Sequence, residues 1–158
     1  MERIGIGFDS HRFAYGRKLI LGGVEIPFEK GLLGHSDGDA LVHSIIDAIL
    51  GAAHLGNIGT LFPDTDKEFK DIYGIKLLEK VASLISENKI EIVNIDSVLV
   101  IEKPKISPFV ERMEKTIANA LKIPAERISV KPKTNEGMGF TGKGEGVSAI
   151  SVALIKLS

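Results

Sequence analysis

The chain has 158 residues, 44% of them hydrophobic and 26% charged, with a formal net charge of −1 and no cysteine. That length suits one domain with a real core, residues 1–158 read as a single unit. The neutral balance, with no basic run and interleaved aromatics, argues against nucleic acid or a membrane as partner, and the missing cysteines exclude disulfides and thiolate-rich zinc sites.

Residues 2–11 read as a strand. In "GIGFDSH" the period of two puts Ile4, Ile6 and Phe8 on one face and Gly5, Gly7, Asp9 and His11 on the other. Asp9 and His11 thus project together beside positions without side chains, consistent with a metal site, a substrate site or a polar strand end. "KLILGGVEIP" (18–27) is a hairpin turning at Gly22-Gly23. "EKGLLGHSDGD" (29–39) is a turn-rich loop, with Ser36, Asp37 and Asp39 as caps for the helix "ALVHSIIDAILGAAHLG" (40–56), which Gly56 ends. After the loop 57–69, helical spacing returns in 75–89, with Leu77, Leu78, Val81, Leu84 and Ile85 on one face. A strand (92–104) stopped by proline, a helix (107–123) with Pro108 in its first turn, a short strand (127–134), a Gly-rich loop (137–146) and a last strand (147–157) complete the chain. The expectation is an α+β domain, a mixed four-stranded sheet with helices on one face plus an extra hairpin. No segment has the layout of a signal peptide or the length of a membrane span, so a cytoplasmic location is expected.

Without cysteine, a tight transition-metal site must draw on carboxylates and on His11, His35, His43 and His54. His43 lies beside the apolar stripe of the first long helix, with Asp39 and Asp47 one turn away on either side. A lone histidine there is more often packing or surface. With Asp9 and His11 it would make three oxygen and nitrogen ligands, leaving a fourth position of a tetrahedral zinc open in the catalytic style. His35 and Ser36 either cap the helix or offer donors to an anionic substrate. Asp64 and Asp66 of "FPDTD" either cap a helix or close a ligand site. "TNEGMGFTGKGEG" (134–146) fits G-x-x-x-x-G-K but continues into Gly144 and a strand, so a P-loop is rejected. Its Thr134 can bind a phosphate oxygen and its Glu136 can hold magnesium. His54 reads as a histidine near a helix C-terminus.

In this order and spacing "GFDSH", "GGVEIP", "KGLLGHSDGDALVH", "FPDTD", Pro104-Lys105 and "TNEGMGFTGKGEG" resemble the 2-C-methyl-D-erythritol 2,4-cyclodiphosphate synthase family over essentially the whole chain. The resemblance implies a chorismate-mutase-like α+β subunit in a homotrimer, with active sites shared between adjacent subunits. It implies a phosphorus–oxygen lyase of the non-mevalonate isoprenoid pathway. The substrate would be 4-diphosphocytidyl-2-C-methyl-D-erythritol 2-phosphate, and the products the cyclic diphosphate and CMP.

By the same resemblance Asp9, His11 and His43 are zinc ligands, Asp9 and His11 also meeting substrate. His35 and Ser36 contact the substrate's phosphate and methylerythritol part, with His35 assisting the transition state. Asn57, Ile58 and Gly59, with Phe62, Asp64 and Asp66, hold the methylerythritol unit, Asp64 accepting a hydroxyl. Ile101, Pro104, Lys105, Ile106 and Ser107 form the cytidine pocket. Lys133, Thr134, Asn135 and Glu136 grip the diphosphate, Thr134 as second transition-state helper and Glu136 as ligand of a magnesium or manganese ion. Phe140 and Lys143 complete the implied substrate contacts. Two positions depart from the family pattern. Asn57 stands where many members are acidic, and altered affinity rather than lost activity is expected. Lys143 stands for arginine, keeping charge but losing the planar fork for an anion in the central cavity. Two other classes are open to the same residues: a zinc phosphohydrolase, for which no dedicated base stands at a recognisable spacing, and a non-catalytic trimeric binder of an isoprenoid diphosphate.

Overall fold

The computed structural model, which describes residues 1–158, runs the alternating N-terminal segment as a 14-residue strand, β1 (Glu2–Tyr15). Two short strands, β2 (Leu19–Leu21) and β3 (Val24–Ile26), form the hairpin expected around Gly22-Gly23, both in the left-handed region at φ 60° and 72°. Next come β4 (Lys30–Leu32), β5 (Ile90–Val100), β6 (Ile128–Lys133) and β7 (Gly146–Leu157). β1 pairs antiparallel with β7 from Glu2 opposite Lys156 to Arg12 opposite Gly146. β5 is antiparallel to β7 and parallel to β6, so the sheet is mixed, in order β4-β1-β7-β5-β6.

The sheet has five strands, not four. β7 begins at Gly146, opposite Arg12, so the last residues of β1 need another partner for their backbone groups. Lys30–Leu32 supplies it, pairing Phe13 with Leu32 and Tyr15 with Lys30 inside the segment expected to be loop. Three residues are too few for a legible alternation. Two one-turn helices also occupy segments read as irregular, α2 (Ile58–Leu61) and α5 (Gly139–Gly142).

The long helices are α1 (Ala40–Ala53), α3 (Gly74–Glu87) and α4 (Val110–Leu121). α1 ends three residues before the predicted limit. His54 rather than Gly56 takes the left-handed cap, at φ 59°, its amide donating to the Gly51 and Leu50 carbonyls. α4 starts later than predicted because Pro108 lies in a separate 3₁₀ turn, Ser107–Phe109. α1 lies on β1 and β7, and α3 packs against α4 and α1. Leu41, Val42, Ile45, Ile46, Ile49 and Leu50 are fully buried, each contributing roughly 1.5–3 kcal/mol. The helix is thereby fixed on the sheet, and it carries His43.

Gly5 and Gly7 let α1 approach. A β-carbon at Gly5 would sit 2.0 Å from the Ala48 carbonyl oxygen, and one at Gly7 1.8 Å from that of Ser44. On the opposite face Ile4, Ile6 and Phe8 of β1 and Ile150 and Val152 of β7 form an exposed apolar strip, Ile4 being 72% accessible. No helix is long and apolar enough to cross a membrane.

Candidate metal centre and substrate cavity

The strand alternation and the helix stripe converge. Oδ2 of Asp9 lies 2.8 Å from Nε2 of His11 and 3.1 Å from Nδ1 of His43. The three donor atoms all lie within 4.8 Å of one another. His11 is oriented by its other nitrogen, since Nδ1–H donates to the Leu33 carbonyl at 2.8 Å. With that proton on Nδ1, a neutral His11 turns its Nε2 lone pair toward the Asp9 carboxylate. Two lone pairs at 2.8 Å repel unless a proton or a metal cation lies between them. Nε2 of His43 is buried without a partner, so that ring's polar contact is made at Nδ1, toward Asp9. The donor set therefore fits a divalent metal, two imidazoles and one carboxylate with a further position free.

Electrostatics describe the same cluster without a cation. Burial works to raise the Asp9 carboxyl, but hydrogen bonds from His11 and His43 outweigh it and hold it at about 2. Burial works to lower both imidazoles, but the Asp9 hydrogen bonds, with the charges of Asp9 and Asp39, outweigh it and raise both.

The cluster opens into a cavity of about 350 Å³. Of the predicted substrate residues, His35, Ser36, Ile58, Gly59, Phe62 and Asp64 line it with Asp9 and His11. His35 and Asp64 face each other with Nε2 and Oδ2 3.4 Å apart, both side chains exposed. Ser36 is steadied by the Arg17 guanidinium, which donates to its carbonyl. Beneath it Asp37 is nearly buried and accepts the amides of Asp39 and Gly74, both at 3.0 Å. Asp39 is not one of the three clustered donors. Its carboxylate accepts the amides of Gly22, Gly23 and Val42, locking the hairpin to the start of α1. Asn57 caps α2, accepting the Thr60 amide at 3.0 Å, and Asp66 caps the turn Lys67–Phe69 through the Glu68 amide. Neither lines the cavity.

Asp47 lines the cavity and was not among the candidate site residues. Burial pushes its carboxyl up, while the Ile58 amide, donating at 2.7 Å, opposes the shift. It ties α2, and with it Ile58 and Gly59, to the helix carrying His43. Its signal was the spacing of one turn from His43. Lys70, Asp71 and Ile72 also line the cavity, from a loop without periodicity.

The remaining predicted residues form a second group. Val100 and Lys133 are partners at the ends of the parallel pair β5 and β6, and the Ile101 amide donates to the Lys133 carbonyl at 2.9 Å. Pro104, Lys105, Ile106 and Ser107 follow one strand; Thr134, Asn135 and Glu136 follow the other. Asp9, Ala149 and Leu99 are at one level across β1, β7 and β5, so both groups occupy the same end of the sheet, β1 and β5 standing about 10 Å apart over two strand spacings and β6 one strand further. The metal-side cavity includes none of the second group. Phe140 borders a separate cleft with Ser10, His11, Arg12 and Glu145, and Lys143 is exposed at the end of α5.

Fold and site together define an α+β protein whose sheet-and-helix junction carries three donors able to hold a metal ion at the wall of a cavity. The chain belongs to the YgbB family, whose model matches residues 2–156. It is 58% identical over 155 residues to the 2-C-methyl-D-erythritol 2,4-cyclodiphosphate synthase of Caldicellulosiruptor bescii, covering 98% of this chain and 99% of that one. The synthase of the same name from Clostridium acetobutylicum is 55% identical over 153 residues, covering 97% and 99%. Among solved structures, the bifunctional IspDF from Campylobacter jejuni matches all of this chain with a TM-score of 0.94 and 42% identity, the chain spanning 43% of that longer protein. The CDP complex of IspF from Plasmodium falciparum matches with a TM-score of 0.87 and 35% identity, covering 99% and 97%.

Proposed function

We propose that this chain converts 4-diphosphocytidyl-2-C-methyl-D-erythritol 2-phosphate into 2-C-methyl-D-erythritol 2,4-cyclodiphosphate and CMP, as a phosphorus–oxygen lyase of non-mevalonate isoprenoid biosynthesis. The observation that carries the reading is the Asp9–His11–His43 cluster on the wall of a cavity in a chain of the YgbB family. An oxygen of the 2-phosphate forms a bond to the β-phosphorus, the bond from that phosphorus to the bridging oxygen breaks, and CMP leaves with the electron pair. A phosphate dianion is already a nucleophile, so neither a general base nor an enzyme nucleophile is needed.

The residues' task is to fold one flexible molecule onto itself, a gain of up to ~7–11 kcal/mol in well-oriented systems. Ile58, Gly59, Phe62 and Asp64 hold the methylerythritol unit in the cavity, with Asn57 and Asp66 shaping the loops that present it. His35 and Ser36 meet its phosphate. The segment Ile101 to Ser107, with Lys105, takes the cytidine, a role supported by the CDP bound to the Plasmodium falciparum relative. Lys133 to Glu136 grip the diphosphate, His35 and Thr134 donating where charge builds at phosphorus. Asp9, His11 and His43 would hold zinc and Glu136 magnesium or manganese, cations that supply Lewis-acid neutralisation of the crowded phosphate oxygens. Phe140 contacts the substrate from the neighbouring cleft and Lys143 from the end of α5.

The working form in this reading is a homotrimer of single-domain subunits, cytoplasmic and chorismate-mutase-like in fold. The exposed strip of Ile4, Ile6, Phe8, Ile150 and Val152 supports it, since contiguous apolar surface of this kind marks an interface. Head-to-tail closure lets the metal side of one subunit meet the nucleotide side of the next. Product analysis tests the function. Phosphorus NMR of a complete turnover should show the cyclic diphosphate and CMP in equal amounts. Release of inorganic phosphate would instead identify a phosphohydrolase, and binding without turnover a carrier.

A further inference from the structure

Beyond β5 and β6 the two loops read above as the nucleotide side and the phosphate side are joined by one side chain that belongs to neither set of implied contacts. Glu102 is half-buried, one residue past the cross-strand bond between Ile101 and Lys133. Its Oε2 accepts the Asn135 amide and its Oε1 the Gly137 amide, both at 3.2 Å. Between those amides stands Glu136, at φ 54°, followed by Gly137 at φ 75°. The left-handed region disfavours any residue with a β-carbon, so Glu136 keeps that conformation only while its neighbours impose it. Backbone amides gathered in a tight turn make a concavity that receives an anion, and here the Glu102 carboxylate accepts two of them. The other bonds of the turn, between Asn135 and Met138, close the far side without gripping the amides that flank Glu136.

We infer that Glu102 is a positioning residue: from the nucleotide loop it sets the conformation of the turn that presents Thr134 and Glu136 to the diphosphate and its cation. The inference rests on the reading of those two loops given under the proposed function. It makes the grip on the β-phosphate depend on a residue that touches no substrate. A carboxylate has two equivalent acceptors for two amides; Gln keeps one and turns a donor toward the other, and Ala keeps none.

The test uses the zinc-loaded protein and its Glu102→Ala and Glu102→Gln variants, titrated calorimetrically with CDP and with CMP, with and without excess magnesium. Glu102→Ala should weaken CDP binding in magnesium about tenfold, the scale for losing a partner that orients a ligand. Glu102→Gln should fall between Ala and the parent. CMP binding, which needs no β-phosphate grip, and zinc content should be unchanged in both. Equal loss of CDP and CMP would overturn the inference, because Glu102 would then shape only the nucleotide loop. Tighter CDP binding would overturn it too, making the carboxylate a competitor for the phosphate site, as would unchanged CDP binding. A parent that binds neither nucleotide would instead overturn the reading of the loops on which the inference stands.

Discussion

Gly7→Ala is the substitution in which fold and chemistry are most tightly tied. The added β-carbon would lie 1.8 Å from the Ser44 carbonyl oxygen and 2.8 Å from the Ala48 amide nitrogen, both helix backbone that no rotamer change can move. Reaching even 3.0 Å requires α1 to lift from β1 by about 1.2 Å in an interior packed like a crystal. Overpacking of this kind costs typically about 1–3 kcal/mol, and a backbone clash belongs at the upper end or beyond. The consequence for the site is larger. β1 carries Asp9 and His11 and α1 carries His43, whereas metal–ligand distances tolerate about ±0.2 Å. Urea unfolding of the metal-free variant should show a loss of about 3 kcal/mol at unchanged m. Competition with a chelator should show zinc held at least about tenfold more weakly than in the parent. A variant with the parent's midpoint and zinc affinity would refute the claim that the bare glycine surface sets the distance between strand and helix ligands.

Three further outcomes follow from the same geometry. His43→Ala should leave a folded protein, because the apolar face of α1 is untouched, but elemental analysis should find most of the parent's zinc, about one per subunit, gone; full occupancy would remove His43 from the ligand set. In the metal-free protein the raised His11 and His43 contribute stability below the ordinary histidine pKa of 6.5 and lose it as pH rises through their folded values, while Asp9, held at about 2, contributes above 3.8 and loses it as pH falls through its folded value. Zinc needs those imidazoles deprotonated, so the gain in Tm on adding zinc should widen from pH 5.5 to pH 8, and a gain that is flat or narrows would contradict the assignment. Last, His43→Ala and Lys105→Ala should each be impaired, yet equal amounts unfolded together and reassembled at random should recover about one quarter of the parent's activity, one interface in four pairing an intact metal cluster with an intact nucleotide loop; a mixture no more active than its components, with mixed trimers confirmed by mass, would sink the shared site.

Much of the site was legible because its signals are local and periodic. The alternation in "GIGFDSH" put Asp9 and His11 on the face that meets α1, with the two glycines beneath the helix. The 3.6-residue stripe placed His43 at the edge of the buried surface, where it meets them. What escaped depends on contacts distant in sequence. β4 exists because β1 outruns β7, a fact of length matching that no window over residues 30–32 contains. Asp39 resembled a metal-site neighbour by spacing, yet its carboxylate is consumed by Gly22, Gly23 and Val42. Asp47, one turn from His43, and Glu102 each act by accepting amides from a loop that folds back onto it, contacts that the neighbouring sequence does not display. His54 takes the left-handed cap for which glycine was the stronger signal, its amide bonded to the Gly51 and Leu50 carbonyls.

The central claim is that phosphorus is attacked from within the substrate rather than by water. A single turnover of the zinc- and magnesium-loaded protein in water enriched in oxygen-18, followed by mass spectrometry of both products, measures this directly. Intramolecular closure predicts a cyclic diphosphate and CMP that carry no label from the solvent. Label in CMP, or a labelled open-chain 2-phosphate 4-phosphate in place of the cyclic diphosphate, would mean that water attacked phosphorus, and the cavity beside Asp9, His11 and His43 would then belong to a hydrolase.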